Sequence, residues 1–493
     1  MRDRVHCGRS TYQAVTHLMI NVLRHRIWNR SRQMLRVAAA FSLLFACSEL
    51  LIARQPAQDA SWALTHVTVI DATGGPARPD MTVLIRNGRI GALGKYGSIE
   101  IPKQAQVVDA TGKSLVPGLW DMHVHLSVAT QASLPLFLAN GITGVRDMGG
   151  SLYEVKRWRT RITEGSLRGP HIITSGPYVD GPKLGAPYRV TVKSATQARE
   201  AVQKLRQLDV DFIKVHNGIP RDAYFALADA ARQAQMSFAG HVPRGVTLTE
   251  ASDSGQRSIE HTEVLFQTYA ERARQLGTTS EATVIQRALA AFTDAEAVAQ
   301  FRRLAKNGTS YVPTLIAYQA FLSRTDSAAS QDPRLKYVAP ATKRYWDKWF
   351  PVESQPAELV QQRRVLFQRF FRLVRLMQRE GVPILAGSDL GERNVYPGFS
   401  LHDELSLLVD AGLTPMEALQ TATRNAAAYL GRLDTFGTIA TGKTADLVLL
   451  DANPLEDIRH TRRVHAVIVG GTLLSGPTLR AILADAEAAA KRQ

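Results

Sequence analysis

At 493 residues the chain is long enough for one (β/α)8 barrel of roughly 250 residues and a second, smaller domain. Its 45% hydrophobic and 21% charged residues exclude a chain that is disordered throughout. The formal net charge of +16 would suit a nucleic-acid binder, but Arg2, Arg4, Arg9, Arg24, Arg26, Arg30, Arg32 and Arg36 hold roughly half of that excess; elsewhere no compact basic stripe is interleaved with aromatics, so nucleic acid is dropped as a partner.

In chain order, residues 1–60 read as a signal or anchor segment and a linker. Residues 37–53 (VAAAFSLLFACSELLIA), preceded by Arg32 and Arg36, have the charged flank and short apolar stretch of a secretory signal, and are too short for a membrane span. Met34 opens a compact signal by itself. Leu44-Phe45-Ala46-Cys47 resembles a lipoprotein box, in which Cys47 would be acylated. The expectation is an exported protein, periplasmic or extracellular, with a lipid anchor at Cys47 and simple secretion weighed equally and an uncleaved anchor third. Cys7 and Cys47 are the sole cysteines, so the body beyond them has no thiolate, and metal ligands there must be His, carboxylate or modified lysine.

Residues 61–115 contain β-rich runs (THVTVIDA, MTVLIRNGRI, AQVVDA) separated by Gly, Pro and Asn turns. Residues 413–475 return to that pattern in ADLVLL and VHAVIV, after a helix opened by Thr414-Pro415-Met416-Glu417 and expected to run to about Leu430. Both chain ends are therefore expected to build one small β-sandwich, followed by a helix over 476–493. Between them, residues 116–412 alternate short apolar strands with helical periodicity. Strands are predicted at 119–125, 144–148, 171–176, 211–216, 237–242, 258–262, 310–316 and 383–389, eight in all, which is the count of a (β/α)8 barrel. Ala201, Val202, Leu205 and Leu208 predict one helix, and Tyr224, Leu227, Ala228 and Ala231 another. Residues 321–355 break the rhythm and are expected to form a lid.

The strongest chemical signal is Pro117-Gly118-Leu119-Trp120-Asp121-Met122-His123-Val124-His125. Alternate strand side chains share a face, so His123 and His125 can meet one cation, although two histidines bonded for structural reasons would read the same way. Lys214, His241, His261 and Asp389 each lie at the C-terminal end of a different predicted strand, where barrel enzymes place catalytic groups. Singly, each has a bland alternative: a snorkelling lysine, histidines bonded to carbonyls, an Asp that caps a loop.

The pattern resembles the amidohydrolase superfamily, in its imidazolonepropionase-like and prolidase-like branch with two metals. The resemblance rests on Val116-Pro117-Gly118-Leu119-Trp120-Asp121, on GITGVRD at 141–147 and on GTIATGKTADLVLLD at 437–451, and it covers about residues 63–475. It implies that His123, His125 and Asp389 bind the more buried ion and that His241 and His261 bind the second. Lys214 would bridge the two as an N-carboxylysine; an ordinary lysine, with a pKa near 10.4, would repel them. Imidazole and carboxylate donors suit Zn2+. A metal-activated hydroxide would attack a C–N bond of an amide, dipeptide or cyclic amide, with Asp389 as general base and then general acid. Many members carry Tyr where this chain has His216, so a substrate role for His216 is weighed equally against a supporting one. Arg146, Tyr178 and His402 are further candidates for a substrate carboxylate or carbonyl. The same metals would also serve lactone or ester hydrolysis or deamination. A binding protein without catalysis fits the complete ligand set poorly. The partner is a small molecule, and a homo-oligomer is compatible with the sequence.

Overall fold

The computed structural model describes residues 61–182 and 188–492. The predicted signal, Cys7 and Cys47 lie outside them. Five strands open the body: β1 (Trp62–Val69), β2 (Arg78–Arg86), β3 (Arg89–Lys95), β4 (Gln106–Asp109) and β5 (Ser114–Pro117). Asn87 and Gly88 connect β2 to β3 with φ of 51° and 73°, the positive pair that a tight hairpin with the strands' own twist requires.

The chain then enters the barrel through β6 (Leu119–Val124), β7 (Ile142–Asp147), β8 (His171–Thr174), β9 (Tyr178–Asp180), β10 (Arg189–Thr191), β11 (Ile213–Val215), β12 (Phe238–Gly240), β13 (Ser258–Glu260) and β14 (Ser310–Val312). Every pairing among them is parallel. β8 and β9 together form the third stave: Asp211 N–H donates to Thr174 O at 3.0 Å, and Val179 pairs with Val215. The eighth stave, 383–390, is a run of isolated bridges: Ile384 pairs with Tyr311, Leu390 with Val124, and Met122 N–H donates to Ala386 O at 2.9 Å. These bonds return the sheet to β6 and close it. The run is irregular because Asp389 takes a φ of 56° and Gly387 lies where a Cβ would meet Val312 and His123 within 2.8 Å.

Three late strands, β15 (Leu447–Leu450), β16 (Val464–Val469) and β17 (Thr472–Leu474), extend β5 in the order β17-β16-β15-β5-β1-β2-β3, with β4 on β1. That sheet coils until Ile90 N–H donates to Lys443 O at 2.8 Å, just before β15 begins. One continuous sheet thus folds over as a sandwich around Leu64, Val83, Ile85, Leu115, Leu449 and Ile468. Each such side chain contributes about 1.5–3 kcal/mol by leaving water.

The helix Ala195–Gln207 buries Ala201, Val202 and Leu205 as the spacing predicts, while Leu208 falls on the cap and is exposed. Arg221–Gln233 buries all four of its predicted residues. The helix expected from Thr414 to Leu430 has its capping box but is split into Pro415–Thr421 and Arg424–Tyr429. At the break Ala422 O accepts from Trp120 N–H at 2.7 Å and Thr421 O from Ala386 N–H at 3.2 Å, so its carbonyls are taken by the barrel floor.

Candidate metal and substrate site

The barrel rim collects the predicted residues because each lies at or just past the C-terminal end of its strand. His123 is the penultimate residue of β6, with its side chain fully buried; Nε2 lies 3.3 Å from Asp389 Oδ1, and His125 Nε2 lies 3.4 Å from the same oxygen. His261 Nδ1 is 3.7 Å from Asp389 Oδ2, and His261 Nε2 faces His241 Nε2 at 3.0 Å. Lys214, 1% exposed, projects from β11 toward them. Ligand atoms of His123, His261 and Asp389 all lie within 4.8 Å of one another, a group able to hold a metal ion. His261, Thr314 and Asp389 adopt φ of 69°, 49° and 56°. Such conformations cost on the order of 1–3 kcal/mol each and persist where surrounding structure enforces them.

Electrostatics matches the geometry. Burial holds His123 and His241 well below the usual imidazole range and His261 at about 4, so all three are neutral donors at pH 7. Burial also opposes charge on Asp389, but His123, His261 and His125 outweigh it and keep the carboxylate ionised. Lys214 is pushed down to about 8 by desolvation. Among the described residues, His123 Nε2 and Lys214 Nζ are buried without a hydrogen-bond partner.

A supporting layer was not singled out in the sequence. Glu260 Oε2 lies 3.0 Å from His123 Nδ1, and Arg146 grips the same carboxylate through NH2 at 3.0 and 3.1 Å. Asp121 accepts from Ser388 N–H at 2.9 Å and Ser388 Oγ–H at 2.6 Å, tying β6 to the residue before Asp389. Asp180 backs His216, with Oδ2 3.3 Å from Nδ1. Glu260 closes β13 and adjoins His261 in sequence, a cue legible only once its contact with His123 is seen.

Above this floor opens a cavity of about 840 Å3, lined by His125, Lys214, His216, His241, His261 and Asp389 together with Tyr178. Phe321, Arg324, Tyr345, Trp349 and Phe350 bring the 321–355 insertion to its wall. Two expectations need correction. Arg146 is fully buried, donates to Met122 O, Ser258 Oγ, Tyr429 OH and Glu260, and does not reach the cavity. His402 is sealed between Asn140 O and Thr461 Oγ1, both at 2.9 Å, and does not reach it either. In both, a polar side chain that read as a substrate contact satisfies the interior instead.

The amidohydrolase family model matches residues 114–474. The chain is similar to ochratoxinase from Aspergillus niger, 25% identical over 414 residues, spanning 74% of this chain and 76% of that protein. It is equally similar to imidazolonepropionase from Chromobacterium violaceum, 25% identical over 427 residues, spanning 81% and 93%. Among solved structures, bottromycin amidohydrolase superposes with a TM-score of 0.70 at 24% identity, covering 87% of this chain and 90% of that one. A Xaa-Pro dipeptidase with methionine bound in its active site gives 0.63 at 22% identity, covering 85% and 100%. At these identities the structural likeness concerns the fold.

Proposed function

The chain belongs to the amidohydrolase family, whose members are metal-dependent, and we propose that it hydrolyses a C–N bond, of an amide, dipeptide or cyclic amide, in a small-molecule substrate. The observation that carries this reading is the convergence of His123, His125 and His261 on the Asp389 carboxylate, with His123 Nε2 and Lys214 Nζ buried beside it and, among the described residues, unpartnered. A buried donor or amine left without a partner costs about 1–3 kcal/mol, so the arrangement fits residues that a cation completes.

His123, His125 and Asp389 would hold one divalent ion and His241 and His261 a second; imidazole and carboxylate donors favour Zn2+. Lys214 would join them as its carbamate. With its pKa near 8, roughly a tenth of the amine is neutral at pH 7, and that form adds CO2 and releases one proton. When bound, the ions supply Lewis acidity toward the substrate carbonyl and lower the pKa of water. Asp389, ionised and at the cavity floor, takes the proton from the attacking water and returns it to the leaving nitrogen. His216, oriented by Asp180, and Tyr178 line the entrance and position the substrate's polar groups.

The test is elemental analysis of the purified protein combined with a panel of N-acyl amino acids, dipeptides, lactones and aminated heterocycles. Bound zinc, turnover of amides and loss of turnover on chelation are expected. Full activity after thorough chelation, or a silent amide set beside an active lactone set, would reject the reading. Export is part of the same proposal, and the mass of the mature N-terminus separates acylated Cys47 from a clipped soluble form.

A further inference from the structure

The cavity lining carries two guanidinium groups that, among the described residues, make no ion pair with a carboxylate. Arg324, inside the insertion, caps the helix Leu315–Ser323, and Arg363 lies in the second turn of Ala357–Arg379 just beyond it, so both reach the same cavity. Their guanidinium carbons stand 4.4 and 4.7 Å from the centroid of the Phe321 ring. Among the described residues, Arg324 Nε is buried without a hydrogen-bond partner, and the one hydrogen bond of Arg363 goes to Gln355 Oε1. Arg274, the third arginine of this cavity, is different: Glu281 engages it at 2.9 and 3.0 Å.

Two like charges on one aromatic ring repel, and burial and then Arg363 push the Arg324 guanidinium below its usual range. The fields of Glu353 and Glu392 reach Arg324, but neither makes an ion pair with it. Guanidinium is a rigid fork matched to carboxylate, and a half-buried one without an anion is an incomplete site. The same cavity lining carries the apolar side chains Phe266, Val284, Ile285, Tyr318 and Leu366.

The geometry points to an anion subsite in which Arg324 and Arg363, braced on Phe321, bind a free carboxylate of the substrate remote from the bond that is cleaved. The substrate class is then an amphiphilic carboxylate in which an apolar spacer separates the free acid from the scissile amide, as in an N-acyl ω-amino acid. This deepens the assignment as a C–N hydrolase and rests on it for the reaction, but not for the binding.

Two measurements on the protein as purified separate those dependencies. In the first, an N-acyl ω-amino acid with an apolar spacer is compared with its terminal carboxamide. The acid is favoured about 10- to 100-fold in kcat/KM, chiefly through KM, the size expected of charge-assisted hydrogen bonds. Arg324→Met and Arg363→Met keep the stems that cover Phe321, remove that preference, and leave the carboxamide within about threefold. Equal turnover of acid and carboxamide by the parent enzyme, or an equal fall on both in the variants, overturns the subsite. In the second, calorimetry follows binding of 4-phenylbutyrate and of 4-phenylbutyramide, neither of which requires turnover. The acid binds the parent enzyme at least tenfold more tightly than the amide, and the double Met variant loses that difference while Arg324→Lys keeps part of it. Undiminished acid binding by the double variant overturns the proposal; failure to cleave any amide, with this binding pattern intact, overturns the reaction assigned above and leaves the subsite standing.

Discussion

Glu260 Oε2 lies 3.0 Å from His123 Nδ1, and this contact decides which ring nitrogen looks toward Asp389. With Nδ1 protonated and donating to the carboxylate, Nε2 is left as a bare acceptor in the floor of the site. A carboxylate behind a liganding imidazole also raises its basicity, and losing such a partner weakens metal binding by about 10- to 100-fold. Glu260→Gln should show that loss in a competition titration against a chromophoric chelator. It should also melt lower, because the buried Arg146 guanidinium loses its anion and an unpaired buried charge costs about 3–5 kcal/mol. Unchanged metal affinity in the folded variant would mean that Glu260 serves Arg146 alone.

Lys214 and Asp389 separate chemistry from folding. Among the described residues Lys214 Nζ is buried with no hydrogen-bond partner, so removing it deletes an unsatisfied group at the floor of an open cavity. Lys214→Ala should therefore melt within a few degrees of the parent and yet lose turnover. Asp389→Asn keeps the side chain's shape but removes the proton acceptor, and general acid–base groups are worth about 10²–10⁴ in rate. Wild-type rates from Lys214→Ala without added carboxylate would rule out a bridging role.

Gly144 carries a purely steric constraint. A Cβ there would sit 2.1 Å from Trp120 Cε2 and 2.3 Å from Cδ2 and Cζ2, and the indole cannot retreat because Phe436 stacks on it at 4.9 Å. Overpacking of this kind costs about 1–3 kcal/mol or more. Gly144→Ala should lower the midpoint of urea unfolding accordingly, and Trp120→Leu combined with Gly144→Ala should recover part of it. A single variant as stable as the parent would show that β7 can slide outward.

The same motif shows what the sequence makes legible and what it does not. Period-two and period-3.6 patterns exposed the strand ends, and with them His123, His125, Lys214, His241, His261 and Asp389, because a barrel converts strand position directly into place at the rim. Within GITGVRD, however, the roles of Arg and Asp are set by neighbours far along the chain. Arg146 meets Glu260 and Tyr429, while Asp147 accepts from Leu126 N–H and Thr174 Oγ. Polarity alone suggested a substrate contact for Arg146, since a single sequence does not reveal that its counter-charge is buried opposite. The split of the predicted 414–430 helix has the same origin: its cap is local and was legible, whereas its break is made by carbonyls that answer Trp120 and Ala386. The insertion over 321–355 was recognisable as a departure from rhythm, but the pairing of Arg324 with Arg363 needed the fold to bring two helices together.

His402, which does not reach the site, should reveal itself through acid unfolding. It lies on the helix Ser400–Asp410, with Nε2–H donating to Asn140 O and Nδ1 2.9 Å from Thr461 Oγ1, a hydroxyl shared between the ring and Ile458 O. Burial lowers its pKa from 6.5 to about 4. Between those values the unfolded chain binds a proton that the folded one refuses, so the stabilisation is fully present above pH 6.5 and is lost as pH falls toward 4. The loss from pH 7 to pH 4.5 is about 2.5 kcal/mol for this group. His123, His241 and His261 are depressed in the same direction, so total acid sensitivity does not isolate it. The difference between the parent and His402→Asn does. Urea unfolding at pH 7 should find the variant less stable, because it leaves polar groups unpaired; at pH 4.5 that gap should shrink by about 2.5 kcal/mol or reverse. A gap that is the same at both pH values would show that the ring is already charged in the folded protein, with both nitrogens donating.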